Sequence, residues 1–166
     1  MTDTSRTTPG GYVLRAEEGN PFWFLGSLVT VKVDGARTRG KLTIMDFVNP
    51  PGFAPPVHRH LVEDEVFYII SGRARYNCDG TVFDAGPGDL VLLPVGSAHT
   101  FLVSPEEPLH TLQITMPAGF EEFTAEAGAP AAARVLPEPG PVDPAALGAA
   151  AARHHIEILG LPPTAL

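Results

Sequence analysis

The chain has 166 residues, of which eleven are basic and nineteen acidic, so that its formal charge is −8 at pH 7. This length suits a single domain, residues 1–166, with one hydrophobic core. The negative charge disfavours nucleic acid as a partner, no apolar stretch approaches the ~20 residues of a membrane span, and residues 1–11 have no apolar segment of the secretory type. We therefore expect a cytoplasmic protein without a nucleic-acid or membrane partner.

The N-terminal part of the chain is predicted to form strands. Aromatic and β-branched residues are enriched in residues 22–25, 28–33 and 42–47. Between the second and third segments lie a turn that begins at Asp34 and a loop, residues 36–41, whose basic side chains face solvent or meet an anionic group of a substrate. Trp23 is the only tryptophan. It packs in the core or in an oligomer contact, or it forms a wall on which a substrate stacks.

Two histidines follow at a spacing that suits metal binding. His58 and His60 are two residues apart, so on a strand both side chains point to the same face and can bind one ion. Three acidic residues come next, and the last of them, Glu65, begins another predicted strand. Glu63 and Asp64 are alternative acidic ligands. We favour Glu65 because period-two alternation places it on the inward face of its strand and turns Asp64 outward.

A later group of segments ends in another histidine. Residues 73–83 are predicted to form a hairpin whose turn, Asp79-Gly80, has the composition of a type I′ turn. An apolar strand, residues 88–93, is followed by a Pro-x-Gly turn and His99. We expect this turn to place the strand that carries His99 beside its predecessor, and the hairpin to bring His99 toward the first two histidines.

The end of the chain is predicted to be helical. A strand over residues 110–116 completes a series of eight to ten, and residues 120–127 are helix formers with one apolar face. A Pro- and Ala-rich connector leads to a second helix, from Pro144 to about His155. Residues 156–159 extend that helix or form a docking strand. The other histidines and the lone cysteine are expected to be structural: His110, His154, His155 and Cys78.

Two motifs in this chain resemble those of the cupin superfamily, G(X)5HXH(X)3-4E(X)6G and G(X)5PXG(X)2H(X)3N. The first motif is matched with every spacing kept by Gly52, His58, His60, Glu65 and Gly72. The second is matched by Gly88, Pro94, Gly96 and His99, but Val103 stands in place of its final asparagine. The resemblance, like the series of short strands, implies an all-β fold. It implies a cupin double-stranded β-helix, a jelly-roll barrel, over about residues 12–116, with short C-terminal helices in an extension over about residues 117–166.

The same resemblance implies a metal centre formed by His58, His60, Glu65 and His99. Three imidazoles and one carboxylate suit one divalent transition metal ion, but they do not distinguish Fe, Ni, Mn, Co, Cu and Zn. Four protein ligands leave one or two coordination positions open, which is typical of a catalytic rather than a structural metal. We expect the apolar residues on the inward faces of the same strands, together with the tryptophan, to line a substrate cavity: Phe67, Ile69, Phe101 and Trp23.

The order of segments is similar to that of small single-domain bacterial cupins of the quercetin 2,3-dioxygenase-like group, over residues 22–30, 63–68, 117–123 and 155–160. This resemblance implies a metal-dependent dioxygenase that acts with O2 on a flavonol-like or enolic aromatic molecule, with Glu65 as the general base for its hydroxyl proton. The alternatives are an isomerase or cyclase of a polyketide-like intermediate, which needs no oxygen, and a non-enzymatic small-molecule-binding protein. Cupins commonly pair through their sheets, so a homodimer is also expected.

Overall fold

The structure, a computed structural model, describes residues 10–166, and that part of the chain contains twelve strands and three short helices. The strands are β1 (Asn20–Phe24), β2 (Ser27–Val33), β3 (Thr43–Asn49), β4 (His58–His60), β5 (Asp64–Ser71), β6 (Ala74–Cys78), β7 (Thr81–Ala85), β8 (Leu90–Leu93), β9 (His99–Val103), β10 (Leu109–Met116), β11 (Ala129–Pro130) and β12 (Ile156–Ile158). The helices are α1 (Gly35–Thr38), α2 (Phe120–Ala127) and α3 (Pro144–Arg153).

The strands form two antiparallel sheets. The seven-stranded sheet has the order β11-β1-β2-β3-β10-β5-β8, and the five-stranded sheet has the order β12-β4-β9-β6-β7. Along β3, β5 and β10 buried side chains alternate with more exposed ones, so each of these strands turns one face to the interior between the sheets. The expectation of an all-β jelly-roll barrel with short C-terminal helices is confirmed.

Local expectations are met at several turns and ends. The β6–β7 hairpin turns at Asp79 and Gly80, whose φ angles of 49° and 84° are those of a type I′ turn. β12 pairs with β4, so the segment after α3 docks as a strand and does not extend the helix. The loop expected over residues 36–41 begins instead as helix α1. The cause is Asp34, whose carboxylate caps this helix by accepting a hydrogen bond from the backbone N–H of Arg37 at 2.9 Å.

The turn between β8 and β9 does not place these strands side by side, contrary to the expectation from sequence. β8 pairs with β5 in the larger sheet, whereas β9 lies between β4 and β6 in the smaller one. The turn crosses from one sheet to the other, and its Gly96 N–H donates to the carbonyl oxygen of His60, 2.8 Å away. This crossing puts His99 opposite His58, and the two residues are register partners.

Gly72, the last residue of the first motif, lies where two strands approach closely. Its φ angle is 79°, in the left-handed region that side chains disfavour. A Cβ atom at this position would lie 2.3 Å from the carbonyl oxygen of Pro108, well inside van der Waals contact. A glycine is therefore needed for the end of β5 to pass the segment that begins β10.

Buried apolar side chains form two clusters. The first cluster combines β1–β3 with the C-terminal elements and contains Phe24, Val29, Met45, Phe47, Phe120, Phe123, Leu147, Ala150, Ala151 and Ile156. The second cluster comes from strands β5 to β10 and contains Phe67, Ile69, Ala74, Tyr76, Ala85, Val91, Leu93, Phe101, Val103 and Leu109. Both contribute to the cavity described below, so the interior has two apolar halves.

The C-terminal extension packs on the barrel through its helices. In α2, the rings of Phe120 and Phe123 contact the ring of Phe24 edge-on, with centroids 6.3 and 5.3 Å away. α3 is joined to α2 by a hydrogen bond from Arg153 Nε to Glu126 Oε1 at 2.8 Å. Among the described residues no helix has both the length and the apolar character needed to cross a membrane.

Candidate metal centre

Three strands bring four side chains with metal-binding atoms together. β4 carries His58 and His60, β5 carries Glu65, and β9 carries His99. One ligand atom from each of these four lies within 4.8 Å of the others. His60, Glu65 and His99 are at most 3% exposed. The predicted ligand set is thus assembled by strand pairing at one buried point, as the alternation of β4 and the register of β9 on β4 require.

Each imidazole is oriented by a hydrogen bond at its Nδ1 atom. His58 Nδ1 lies 2.8 Å from the carbonyl oxygen of Pro56, and His99 Nδ1 lies 3.0 Å from that of Ser97. A carbonyl oxygen only accepts, so in both rings Nδ1 carries the hydrogen and Nε2 keeps a lone pair. In each ring the nitrogen left for an ion is Nε2.

His60 has a different partner, the carboxylate of Glu63, which lies 2.7 Å from its Nδ1. The Nε2 atoms of His60 and His99 are buried and have no hydrogen-bond partner among the described residues. Buried nitrogens with free lone pairs are costly unless something binds them, and a transition metal ion does so. The four side chains therefore fit a divalent ion, and an acceptor already holds the second nitrogen of each imidazole.

The carboxylate of Glu65 is held by a residue that the sequence analysis did not single out. Gln113 of β10 donates a hydrogen bond from Nε2 to Glu65 Oε1, and Glu65 Oε2 lies 3.2 Å from His99 Nε2. Burial by itself raises the pKa of Glu65, but the imidazoles, first His60 and then His99 and His58, outweigh it and hold the pKa at about 2. Glu65 is thus ionised at neutral pH, as a metal ligand must be.

The imidazoles differ in their affinity for a proton. Burial, followed by the neighbouring His99, lowers the pKa of His58 to about 4, so this ring is neutral at pH 7 and free to act as a ligand. Burial lowers the pKa of His60 too, but the carboxylates of Glu65 and Glu63 reverse the direction and raise it above the usual value. The site therefore favours positive charge beside His60, which a metal ion can supply in place of a proton.

A cavity of about 70 Å³ opens beside the candidate ligands and is bounded mainly by aromatic rings. Phe67 and Phe101 line it, as expected. Ile69 and Trp23, which were also expected to line the cavity, do not line it. Ile69 is fully buried in the second cluster, and the indole nitrogen of Trp23 donates to the carbonyl oxygen of Val135 at 2.9 Å, away from the cavity. Further rings that line the cavity come from β1, β3, the loop between β3 and β4, and α2: Phe24, Phe47, Phe53, Phe120 and Phe123.

Other candidates have partners outside the cluster. The Asp64 carboxylate accepts from the backbone N–H of Val95 at 2.9 Å, and Asp46 lies 3.0 Å from Nε2 of His110. The outward direction predicted for Asp64 and the exclusion of His110 from the ligands are consistent with these contacts. Glu63, considered from sequence as a rival ligand, instead orients His60. The sequence could have pointed to Gln113, because it is the one amide side chain on the inward face of β10.

Comparisons with known proteins identify the barrel. A family model, the Cupin domain, matches residues 45–115, which include all four candidate ligands. The chain is 25% identical over 126 residues, 76% of its length, to the quercetin 2,3-dioxygenase of Bacillus subtilis (strain 168). That match covers 37% of the dioxygenase, so this chain spans little more than a third of its length. An uncharacterised protein of Methanocaldococcus jannaschii is 26% identical over 84 residues, 51% of this chain and 67% of that protein.

Solved structures share the fold at low sequence identity. KdgF from Halomonas sp. superposes with a TM-score of 0.59 and 16% identity over 69% of this chain and 99% of its own. A predicted oxalate decarboxylase from Thermotoga maritima gives a TM-score of 0.59 and 19% identity over 64% of this chain and 99% of its own. Pac13, a nucleoside dehydratase, gives a TM-score of 0.54 and 20% identity over 68% of this chain and 88% of its own. Together, the two motifs, the matched family model and the shared barrel identify residues 45–115 as a cupin domain.

Proposed function

We propose that this protein is a metal-dependent dioxygenase that acts on a small enolic or hydroxylated aromatic molecule. The observation that supports the proposal best is the set of Nε2 atoms and the carboxylate that converge beside an aromatic cavity. The chain is 25% identical to a quercetin 2,3-dioxygenase over 76% of its length, which points to the same reaction class. Because fold and partial similarity do not fix a substrate, the substrate class here follows from the cavity.

The roles of the residues follow from their contacts. His58, His60 and His99 would bind the ion, each with its second nitrogen already held. A divalent ion at this point would supply positive charge that lowers the pKa of a hydroxyl group bound to it. Glu65, with a pKa of about 2, is a weak base. It can accept a proton only from a hydroxyl acidified in this way, and Gln113 keeps its Oε1 in place while it does so.

The walls favour a flat apolar substrate. The ring of Phe101 contacts those of Phe53 and Phe67, with centroids 5.9 and 5.7 Å away, so these rings present faces and edges to the cavity. Apart from the candidate ligands, the polar side chains that line it are Asn49 and Gln113. Asn49 donates to Ser27 at 2.8 Å, and Gln113 to Glu65. A sugar phosphate would find few free donors here, whereas an aromatic enol would bury its ring.

Two measurements test the proposal. Elemental analysis of the purified protein names the ion, and oxygen uptake is then followed with enols and hydroxylated aromatics of increasing size. We expect Glu65→Gln to keep much of the metal and to lose turnover by about 10²–10⁴-fold, the usual effect of removing a general base. Asp64→Asn is the control, because it removes a neighbouring carboxylate outside the cluster. Unchanged turnover in Glu65→Gln would contradict the role of Glu65.

The volume of the cavity favours one alternative. At about 70 Å³ it offers little space for a second reactant beside a substrate. An isomerase or cyclase, in which charge and shape suffice and oxygen takes no part, is consistent with that. Turnover measured with and without oxygen, with metal present throughout, separates the two reactions. Recovery of an unchanged ligand under both conditions would instead indicate a small-molecule-binding protein.

A further inference from the structure

A second, larger space lies directly beside the cavity. The cavity measures about 70 Å³, below the ~300–1,000 Å³ usual for pockets that bury a drug-sized ligand. A surface groove under the connector between α2 and α3 measures about 620 Å³. Leu25 and Leu147 line both spaces. These two side chains therefore form a partition between the metal-side cavity and the groove.

Helix α3 is the wall on one side of this partition. Ala151 faces the cavity and Ala150 faces the groove, while Leu147 contributes to both. The wall is thin because its other residues at this level are alanines. Leu147, only 7% exposed, is the one large side chain of α3 that separates the two spaces.

The other side of the partition is a turn. Leu25 follows β1 and precedes Gly26 in the β1–β2 turn, and its φ angle is 50°. This left-handed conformation is uncommon for a residue with a branched side chain. Since the turn lies outside both sheets, the side chain of Leu25 can be displaced without breaking a strand pairing. By contrast, β4, β5 and β9, which carry the candidate ligands, are each paired on both edges.

We propose that Leu147, with Leu25, determines which ligands reach the metal centre, and that the binding site for a longer substrate extends past them into the groove. This inference rests on the proposed function, because it assumes an oxygenated ring held at the metal end. Along the groove, Glu126 and Arg153 are bonded to each other and Asp143 caps α3. Their charges are already engaged, and the remaining charged residue that lines the groove is the exposed Glu138. The groove therefore suits an uncharged polar tail better than an anionic one.

The test uses two probes with one chelating group and different lengths. Maltol and 3-hydroxyflavone both bind metals through a 3-hydroxy-4-pyranone, but the second carries a fused benzene ring and a phenyl substituent. With the zinc-loaded full chain, we expect Leu147→Ala to bind 3-hydroxyflavone at least about tenfold more tightly and maltol within about twofold of the unsubstituted protein. Leu147→Trp should weaken only the longer probe. Titrations followed by fluorescence and calorimetry measure both.

Matched variants separate the possible failures. Ala149→Trp adds the same bulk at an exposed position of α3 that lines neither space, and it should change neither affinity. Leu25→Ala should act as Leu147→Ala does, which keeps the test decisive if one variant fails to fold. No binding of maltol by the unsubstituted zinc-loaded protein would overturn the proposed function. If maltol binds but the affinity for 3-hydroxyflavone is the same in the Leu147 and Leu25 variants as in the unsubstituted protein, only the partition is overturned.

Discussion

The two apolar clusters differ in how the chain builds them. The second cluster comes from strands β5 to β10, and every residue in it lies within the matched cupin domain, residues 45–115. The first cluster also takes residues from β1, β2, α2, α3 and β12, which lie outside that domain. Both reach the cavity, but from different parts of the chain.

This difference separates the binding of an ion from the choice of substrate. The candidate ligands lie on β4, β5 and β9, whose backbones are fixed by hydrogen bonds to neighbouring strands. The wall of the first cluster depends largely on helices that contact the barrel through side chains. Side-chain contacts can change without loss of the sheet. We therefore expect substitutions of the candidate ligands to affect metal binding, those in the second cluster to affect stability, and those in the first cluster to affect ligand choice.

The largest effect is expected for the ligands themselves. Structural zinc sites bind with roughly 10–16 kcal/mol in total, on the order of 2.5–4 kcal/mol for each of four ligands. His99→Ala should therefore weaken zinc binding by up to about 1,000-fold, measured by competition with a chelator. His110→Ala, a histidine paired with Asp46 outside the cluster, is the control and should leave zinc affinity unchanged. Equal affinities in the two variants would show that the ion binds elsewhere.

The next largest effect is expected in the unfolding free energy when one side chain is truncated in each cluster. Ile69→Ala removes a fully buried side chain of the second cluster and should cost about 3 kcal/mol of unfolding free energy, within the range for such cavities. Leu147→Ala in the first cluster should cost about 1–2 kcal/mol, because its side chain borders two open spaces and has fewer contacts to lose. Chemical denaturation measures both. A larger loss for Leu147→Ala would reverse the comparison.

A smaller effect is expected for the carboxylate that orients His60. Glu63→Gln keeps an acceptor oxygen for Nδ1 but removes the charge, and changes of this kind typically cost 10–100-fold in metal affinity. We expect about 30-fold, with the visible spectrum of the cobalt-substituted protein retained, since all four ligands remain. Asp64→Asn is the matched control, one residue away and outside the cluster. A loss equal to that of His99→Ala would mean that Glu63 is itself a ligand.

The sequence predicted well which four side chains converge, because local geometry determines it. Two histidines at a spacing of two must share a face of a strand, and the inward place of Glu65 follows from the same alternation that buries Phe67. The role of Glu63 was missed because it lies in a turn, where alternation does not fix side-chain direction. Hydrogen-bonding roles in turns follow from backbone angles that composition leaves open.

The parts that could not be predicted depend on distant contacts. β8 and β9 are separated by a short turn, yet they belong to different sheets, because each pairs with strands far away in sequence. Trp23 is directed away from the cavity by the carbonyl oxygen of Val135, 112 residues later. The first cluster likewise depends on how α2 and α3 return to the barrel. Local patterns contain no information about such returns.

The smallest effect tests whether the second cluster is only a scaffold. Tyr76 is fully buried beside Phe67, Phe83 and Phe101, and its hydroxyl has no hydrogen-bond partner among the described residues. Burial, and then the negative charge of Glu65, raises the pKa of Tyr76, so the hydroxyl stays protonated. Burying an unpartnered hydroxyl costs about 1–3 kcal/mol, so Tyr76→Phe should raise the unfolding free energy by about 1 kcal/mol.

The control is Tyr68→Phe, in which the hydroxyl belongs to an outward side chain that is 44% exposed, and no change in stability is expected there. Zinc affinity should be the same in both variants if the second cluster only supports the ligands. A gain in stability accompanied by weaker zinc binding would mean that the Tyr76 hydroxyl acts on the charge of Glu65. In that case the two halves of the interior would not divide as argued, because a core residue of the barrel would also tune the metal centre.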